Sequence, residues 1–390
     1  MIEPRRIAVA AVPEYSSVCP WSSDGSRLLL IGGEGLDHFQ LHDGDGNFLG
    51  NSGIGASERP RWHHRDPVIF TFLRGNRLII YDIKLGINDS REFLEHISID
   101  DGGEADISED CDHRVLIGTR ADGSRVIFRY QISTGKSDLE VEQDGTINNA
   151  IITPDNNLLL DGMDLWLQES DGNYDGNRIF GTDSHKCVTR YHGREVLLTS
   201  NSNENPVTLP DFPNGIVRVD LGTPAPHNQT GLLALPWDLA VHISAPQNAE
   251  WCLVTTYAPT APNRQDGHYN AILKVRLDGS GSEILCHHNS SSADYTRQPK
   301  ASISRDGSRF VYASDDGNPG GPVNTWMGVL GDVYPAIQSL ENVQPAIHSI
   351  SPLEVSAPPN QPVKATLIGS STFLAGGRKI LFQLWDVTDN

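Results

Sequence analysis

The sequence predicts an all-β protein: a seven-bladed β-propeller with a short C-terminal β extension. Three observations predict it. First, a turn phrase recurs. Ser22-Ser23-Asp24-Gly25 returns as Ser304-Arg305-Asp306-Gly307, each after a large apolar residue (Trp21, Ile303) and before an apolar run (Leu28-Leu29-Leu30-Ile31, Phe310-Val311-Tyr312). Degraded copies begin at Trp62-His63, Ile107-Ser108 and Ile152-Thr153, and weaker ones at Val188-Thr189 and Ile243-Ser244. Seven copies about 35–60 residues apart mark a repeat architecture. Second, the chain holds 37 Gly and 24 Pro, with many Asp-Gly and Asn-Gly pairs, which suits tight hairpins. Third, apolar runs of strand length outnumber helical periodicity.

Each repeat reads as a blade of about four antiparallel strands. Blade one (15–55) has a first strand leading into Trp21, then Arg27 to Ile31, Phe39-Gln40-Leu41 and Phe48-Leu49. Blade two (56–100) has 68–72 and 77–81 around Arg74-Gly75-Asn76, and blade three (101–143) has 115–118 and 126–130 around Asp122-Gly123. Blade four (144–182) carries Leu158-Leu159-Leu160 and Leu165-Trp166-Leu167. Blade five (183–232) carries 195–199 and 216–219, and blade six (233–285) carries 251–256 and 271–275. Blade seven (286–335) carries 309–312 and 325–330, and residues 6–10 are expected to latch the ring as an outer strand. Such sheets bury their faces only by packing on one another, and a closed ring hides their edges. A two-domain β-sandwich is the alternative; the recurrence along 1–335 argues against it. Residues 336–390 are Pro-rich and end in two strand-like runs, 363–368 and 379–384.

The formal net charge is −20. Nucleic acid is therefore an unfavourable partner, since its phosphates need a field of Lys and Arg. No run of about 18 apolar residues is present, so no membrane span is expected. The five cysteines lack CxxC spacing and sit in or beside apolar runs, which reads as buried free thiols. Residues 1–6 do not read as a signal peptide; a secreted or periplasmic location follows if a leader was removed, and a cytoplasmic one otherwise. A monomer is expected.

The repeat supports a positional argument. Take the apolar residue before each turn as position zero: Trp21, Trp62, Ile107, Ile152, Val188, Ile243 and Ile303. Strand side chains alternate, so odd offsets project the other way. Three residues earlier stand Val18, Arg59, Glu104, Asn149, His185, Ala240 and Lys300, of which five are polar, and blade six has His242 one step nearer position zero. Innermost strands would gather these around one channel mouth. A propeller channel is polar in any case, but Arg, Lys, His, Glu and Asn also suit a sugar or uronate site. His185 or His242 is a candidate base, Arg59 and Lys300 are candidate carboxylate partners, and Tyr257 or Tyr295 is a candidate proton donor to a leaving oxygen. Trp237 is a candidate stacking platform, with packing between blades as the alternative. Trp21 and Trp62 read as core between blades. His63-His64 and His287-His288 are poor joint metal sites, because adjacent strand residues face opposite ways. Asp43-Gly44-Asp45-Gly46-Asn47 resembles the start of a calcium loop but lacks the distant Glu, and reads as a hairpin turn.

The repeated phrase resembles the TolB-type, WD-repeat-like propellers across about 15–335. Blade seven, from Gln298-Pro299-Lys300 through Ser304-Arg305-Asp306-Gly307 to Ser314-Asp315, resembles the corresponding blade of oligogalacturonate lyases. Blade six, with Val241-His242-Ile243-Ser244 and 251–257, is similar to blades of related bacterial secreted propellers. The stretch from Ile350-Ser351-Pro352 to Phe373 resembles part of an immunoglobulin-like TIG module. The lyase resemblance implies an enzyme that cleaves a uronate-containing polysaccharide or oligosaccharide by β-elimination. Those enzymes carry His-Pro-His where Gln298-Pro299-Lys300 stands, and those histidines help hold a divalent cation, Mn or Ca, against the uronate carboxylate. Gln298 offers an oxygen, whereas a charged Lys300 cannot ligate and would bring its own charge instead. The other reading is a non-catalytic propeller that binds carbohydrate or protein. A glycoside hydrolase with paired carboxylates has only Glu104 in the ring to support it.

Overall fold

In a computed structural model of the chain, the described residues are 1–330, apart from 34, 104–105, 144–146, 163, 169–173, 182–184, 203–211, 213 and 224–226. The chain divides into two compact units, Met1–Ala336 and Ile337–Asn390. The second unit, with its TIG-like stretch, lies outside the described residues.

The recurring turns form because their polar side chains satisfy local backbone donors. Ser22 Oγ donates to Asp24 Oδ1 at 2.9 Å, Asp24 Oδ1 accepts the Ser26 N–H at 2.9 Å, and Gly25 sits at φ +68°. Blade seven repeats this: Ser304 Oγ lies 2.6 Å from Asp306 Oδ1, and Gly307 has φ +71°. The degraded copies keep the geometry with poorer residues. Cys111 takes the left-handed position in blade three at φ +67°, and Asn156 in blade four at φ +65°. Glycine adopts that region without cost, and Asn at a smaller cost than a thiol-bearing side chain. In blade two, His63 Nδ1 replaces the serine hydroxyl, accepting the Asp66 N–H at 2.9 Å.

Among the described residues, seven four-stranded antiparallel sheets result. Their first strands are Ala11–Val12, Arg61–Trp62, Ser98–Asp101, Ile147–Ile152, Lys186–Tyr191, Ala240–Ser244 and Ser302–Ile303. Residues on or beside these first strands line one common cavity, so the first strands are the innermost. Arg5–Ala8 pairs with Asn324–Val329, with Arg6 opposite Trp326, and completes blade seven from the N-terminal side. The latch is therefore shorter than residues 6–10; it ends before Ala10, which turns at φ +51°. Blade one corrects the sequence reading. Its first strand is Ala11–Val12 rather than a strand running into Trp21, and Trp21 makes only an isolated bridge to Leu28.

The pleat decides the core. Leu28 and Leu30 pack toward blade seven with Trp21, Val311 and Met327, while Leu29 packs toward blade two with Trp62, Phe70 and Phe72. The same alternation recurs around the ring. Leu116 meets blade two and Val115 and Ile117 meet blade four; Leu197 meets blade four and Val196 and Leu198 meet blade six. Each adjacent pair of blades, including seven with one, shares an apolar cluster. Burying both faces of every sheet in this way is the main stabilising contribution of the fold. Trp21 and Trp62 are almost wholly buried in it. The cysteines are free, and four of the five are buried; burial pushes the Cys187 thiol up to about 12.

Candidate functional site at the channel mouth

The innermost strands run in the same sense, so residues ahead of position zero gather at one end of the axis. What covers that end is a strap between Val12 and Trp21. Glu14 reaches blade two. Tyr15 crosses to blade five, where its hydroxyl lies 2.6 Å from His185 Nδ1, and its carbonyl accepts from Ser302 Oγ of blade seven at 2.7 Å. The strap is thus tied to blades on opposite sides of the axis.

On one side Tyr15 joins most of the residues expected from sequence. The His185 and His242 rings are 4.3 Å apart, and Tyr15 meets His242 edge-on at 5.4 Å. Tyr257 stacks on His242 at 5.2 Å, and His242 Nε2 donates to Gln298 Oε1 at 3.1 Å. Lys300 Nζ sits 3.0 Å from the Tyr295 ring centre and 5.8 Å from that of Tyr15, an arrangement that favours the cation through the ring quadrupole. Lys300 takes φ +27°, a cost for a residue with a side chain. Burial, then the neighbouring His185 and Lys300, hold the His242 pKa well below its usual value, so His242 is neutral. Burial raises the Tyr257 phenol. Both residues are closed from solvent. His242 packs against His185, and Tyr257 packs against His242 on its other side. Tyr295 heads a short 3-10 helix, Tyr295–Arg297, whose first turn is capped by Asp294. Tyr295 remains 54% exposed.

On the other side lies an ion-pair network. Arg61 donates to Glu14 Oε2 at 2.8 Å and Asp101 Oδ2 at 2.5 Å, and Arg114 donates to Asp101 Oδ1 at 3.1 Å. Arg59 reaches Glu14 Oε1 at 3.2 Å, with its side chain 40% exposed. Burial opposes the Arg61 charge, but Asp101 and Glu14 outweigh it and hold its pKa above the usual value.

Asn149 is exposed on Ile147–Ile152, and Trp237 is 59% exposed in the turn before Ala240–Ser244 rather than packed between blades. Glu104 lies outside the described residues. Tyr15, Glu14, Asp101, Arg61 and Arg114 were not foreseen. A charged residue beside position zero, as in Arg61-Trp62, was the one usable signal. The His287-His288 pair serves the backbone: His287 Nδ1 bonds the Tyr269 carbonyl at 3.0 Å, and His288 Nε2 bonds that of Thr256 at 2.9 Å. Asp43 accepts from the Asp45 and Asn47 N–H groups at 3.0 and 2.9 Å, as a hairpin turn requires. Among the described residues no group of three His, Cys, Asp or Glu is placed to hold a metal. Gln298 Oε1 is already taken by His242, and Lys300 lies under Tyr295, so the Gln-Pro-Lys run does not fit a divalent cation. No helix among the described residues is long and apolar enough to cross a membrane.

The chain matches no family model and no curated protein. Its structure is similar to a chain of a mitotic checkpoint complex, with TM-score 0.51 and 14% identity over 84% of this chain and 93% of that one. It is similar to the Pan2 WD40 domain of Neurospora crassa, with TM-score 0.51 and 11% identity over 82% and 91%. It is also similar to the β-propeller domain of the Trilobed protease of Pyrococcus furiosus, with TM-score 0.51 and 12% identity over 81% and 95%. The chain is a WD-repeat-like β-propeller in fold. These likenesses carry architecture alone, and the lyase-like blade seven remains a resemblance of sequence.

Proposed function

We propose that this propeller binds a uronate-bearing saccharide across the mouth. The observation that carries the reading is a buried ammonium, Lys300, directly beneath the half-exposed ring of Tyr295. A uronic acid offers a carboxylate to such a cation and an apolar ring face to aromatic side chains. Arg59 adds a second, partly exposed cation, and Trp237 adds a second exposed ring on the loop entering blade six. At net charge −20 the chain repels a polyanion at long range, so attraction has to be local. Calorimetry with acidic and neutral oligosaccharides of equal length tests the reading. Acidic ones should bind, and Lys300→Met should weaken them about tenfold, equivalent to 1.4 kcal/mol. Equal binding of neutral chains, or an unaffected Lys300→Met variant, would sink it.

A second reading, β-elimination, is favoured by the 2.6 Å contact between Tyr15 and His185. A base takes the proton alpha to the carboxylate, that electron pair forms the new C=C bond, and the bond to the leaving oxygen breaks as that oxygen takes a proton. His185, with Tyr15 fixing its ring, would be the base; Tyr295 would supply the second proton; Lys300 and Arg59 would stabilise the enolate. The product absorbs near the ultraviolet edge. Silence across a panel of uronate polymers, with and without Mn or Ca, would remove this reading and leave the binding reading standing.

A further inference from the structure

Beneath the strap, on the side away from the mouth, the axis holds a cavity of about 100 Å³. The strap supplies Ser17 and Cys19 to its lining, and blades two to seven supply the rest. It reaches the turn end, where Gln247 is exposed and Arg190 and Glu109 are partly so.

Most of its charges are matched. Arg190 holds Glu109 and Asp155 at 2.5 and 2.7 Å, and Lys186 holds Asp161. Asp106 accepts from Arg305 Nη2 at 2.9 Å and from the Cys19 and Ile107 N–H groups at 3.3 and 2.8 Å. Two groups are not matched. His64 has its side chain 8% exposed, and among the described residues neither ring nitrogen has a hydrogen-bond partner; Nε2 stands 3.7 Å from Asp106 Oδ1, within ion-pair distance but beyond hydrogen-bond reach. Arg305 Nε is buried and likewise without a hydrogen-bond partner among the described residues. Burial and the Arg305 charge hold the His64 pKa below its usual value, so the ring is neutral and keeps one N–H to donate. A buried donor without an acceptor is costly. Two such donors, one of them on a guanidinium, bond most strongly to an ionised oxygen acceptor.

We propose that this cavity is a second binding site, which takes a small carboxylate between Arg305 Nε and His64 from the turn end of the axis. The site is separate from the mouth and does not rest on the saccharide reading. Acetate is the probe, and acetamide, of similar shape but uncharged, is the control. The protein, labelled at histidine, is titrated with each and followed by NMR and by thermal unfolding. Acetate should move the His64 ring signals saturably, leave those of His185 and His242 in place, and raise the unfolding temperature. Acetamide should bind about tenfold more weakly or not at all. Arg305→Lys keeps a charge beside Asp106 but loses the Nε–H, and should weaken acetate about tenfold. The wild-type NMR result decides the matter even if that variant misfolds. Equal responses to acetate and acetamide, movement of the mouth histidines instead of His64, or no response to acetate would overturn the proposal.

Discussion

Glu14 and Tyr15 are neighbours in sequence, and their side chains meet opposite halves of the mouth. Toward blades two and three, Glu14 and Asp101 are threaded among Arg59, Arg61 and Arg114, and every member except Arg59 is more than nine-tenths buried. Toward blades five to seven, Tyr15 meets two imidazoles and an ammonium packed among aromatic rings. Apart from Arg59, the first half is a matched set of charges with little left to offer a ligand. The second half presents Tyr295 at its surface. A ring of polar residues around a propeller axis is therefore not one site. Part of it anchors the strap, and part faces outward.

The largest effect expected from this comparison is on stability. Asp101→Asn removes the carboxylate shared by Arg61 and Arg114 and leaves two buried cations short of a counter-charge. Breaking such a pair from one side costs about 3–5 kcal/mol. Urea unfolding should show a loss of that size, while His185→Ala should cost about 1 kcal/mol and fall instead on ligand binding. If Asp101→Asn costs no more than His185→Ala, the division of the mouth into an anchor and a site fails.

Acid should next set the buried imidazoles, His242 of the outward-facing half among them, against the anchoring ion pairs. Stability rises with pH wherever the unfolded chain binds more protons than the folded one. Burial depresses His288 to about 4 and moves His242 well down; His42, His63, His64 and His96 shift the same way, each by burial first. An unfolded histidine protonates near 6.5. The contribution of these groups is complete above that value and is lost as pH falls below it, down to about 4 for His288. The shift of His288 alone corresponds to roughly 3 kcal/mol. Arg61 stays charged throughout. The urea midpoint should therefore fall between pH 7 and pH 5, and fall less in His288→Gln. A flat profile over that interval would mean that these imidazoles are not held neutral by burial.

Much of this was legible because it repeats. The Ser-x-Asp-Gly turn closes through its own side chains, so local chemistry locates the inner strands of most blades, though not of blades one and three, whose inner strands end well before the turn, and alternation from them puts His185 and Lys300 at the same end. His242 follows from the same register, and Gln298 came from the resemblance of blade seven to the lyases. The strap was not legible. Residues 13–20 break the repeat, and the bond from Tyr15 to His185 joins positions 170 apart in sequence; nothing in Pro13-Glu14-Tyr15 says which blade each side chain will reach. Asp101 escaped for the opposite reason. In Ile99-Asp100-Asp101 it reads as one of many surface acids, and only the burial of Arg61 and Arg114 beside it makes it structural.

The smallest expected change tests the outward-facing half most directly. Trp237 is 59% exposed, between Pro236 and Asp238, and Asp238 is held by the Tyr269 hydroxyl at 2.7 Å. Removing the indole deletes little packing, so Trp237→Ala should leave stability within about 0.5 kcal/mol. A ring left in water at a binding face has a different cost, because it is recovered only when a ligand covers it. Trp237→Ala should then weaken acidic oligosaccharides of several residues by about 1 kcal/mol and leave a single uronic acid unaffected, since one sugar on Lys300 and Tyr295 need not extend to blade six. Indole fluorescence gives a second readout, because longer oligosaccharides should shift the Trp237 emission and the monosaccharide should not. An equal loss for both lengths would place Trp237 in the primary subsite, and no loss for either would confine the ligand to blade seven.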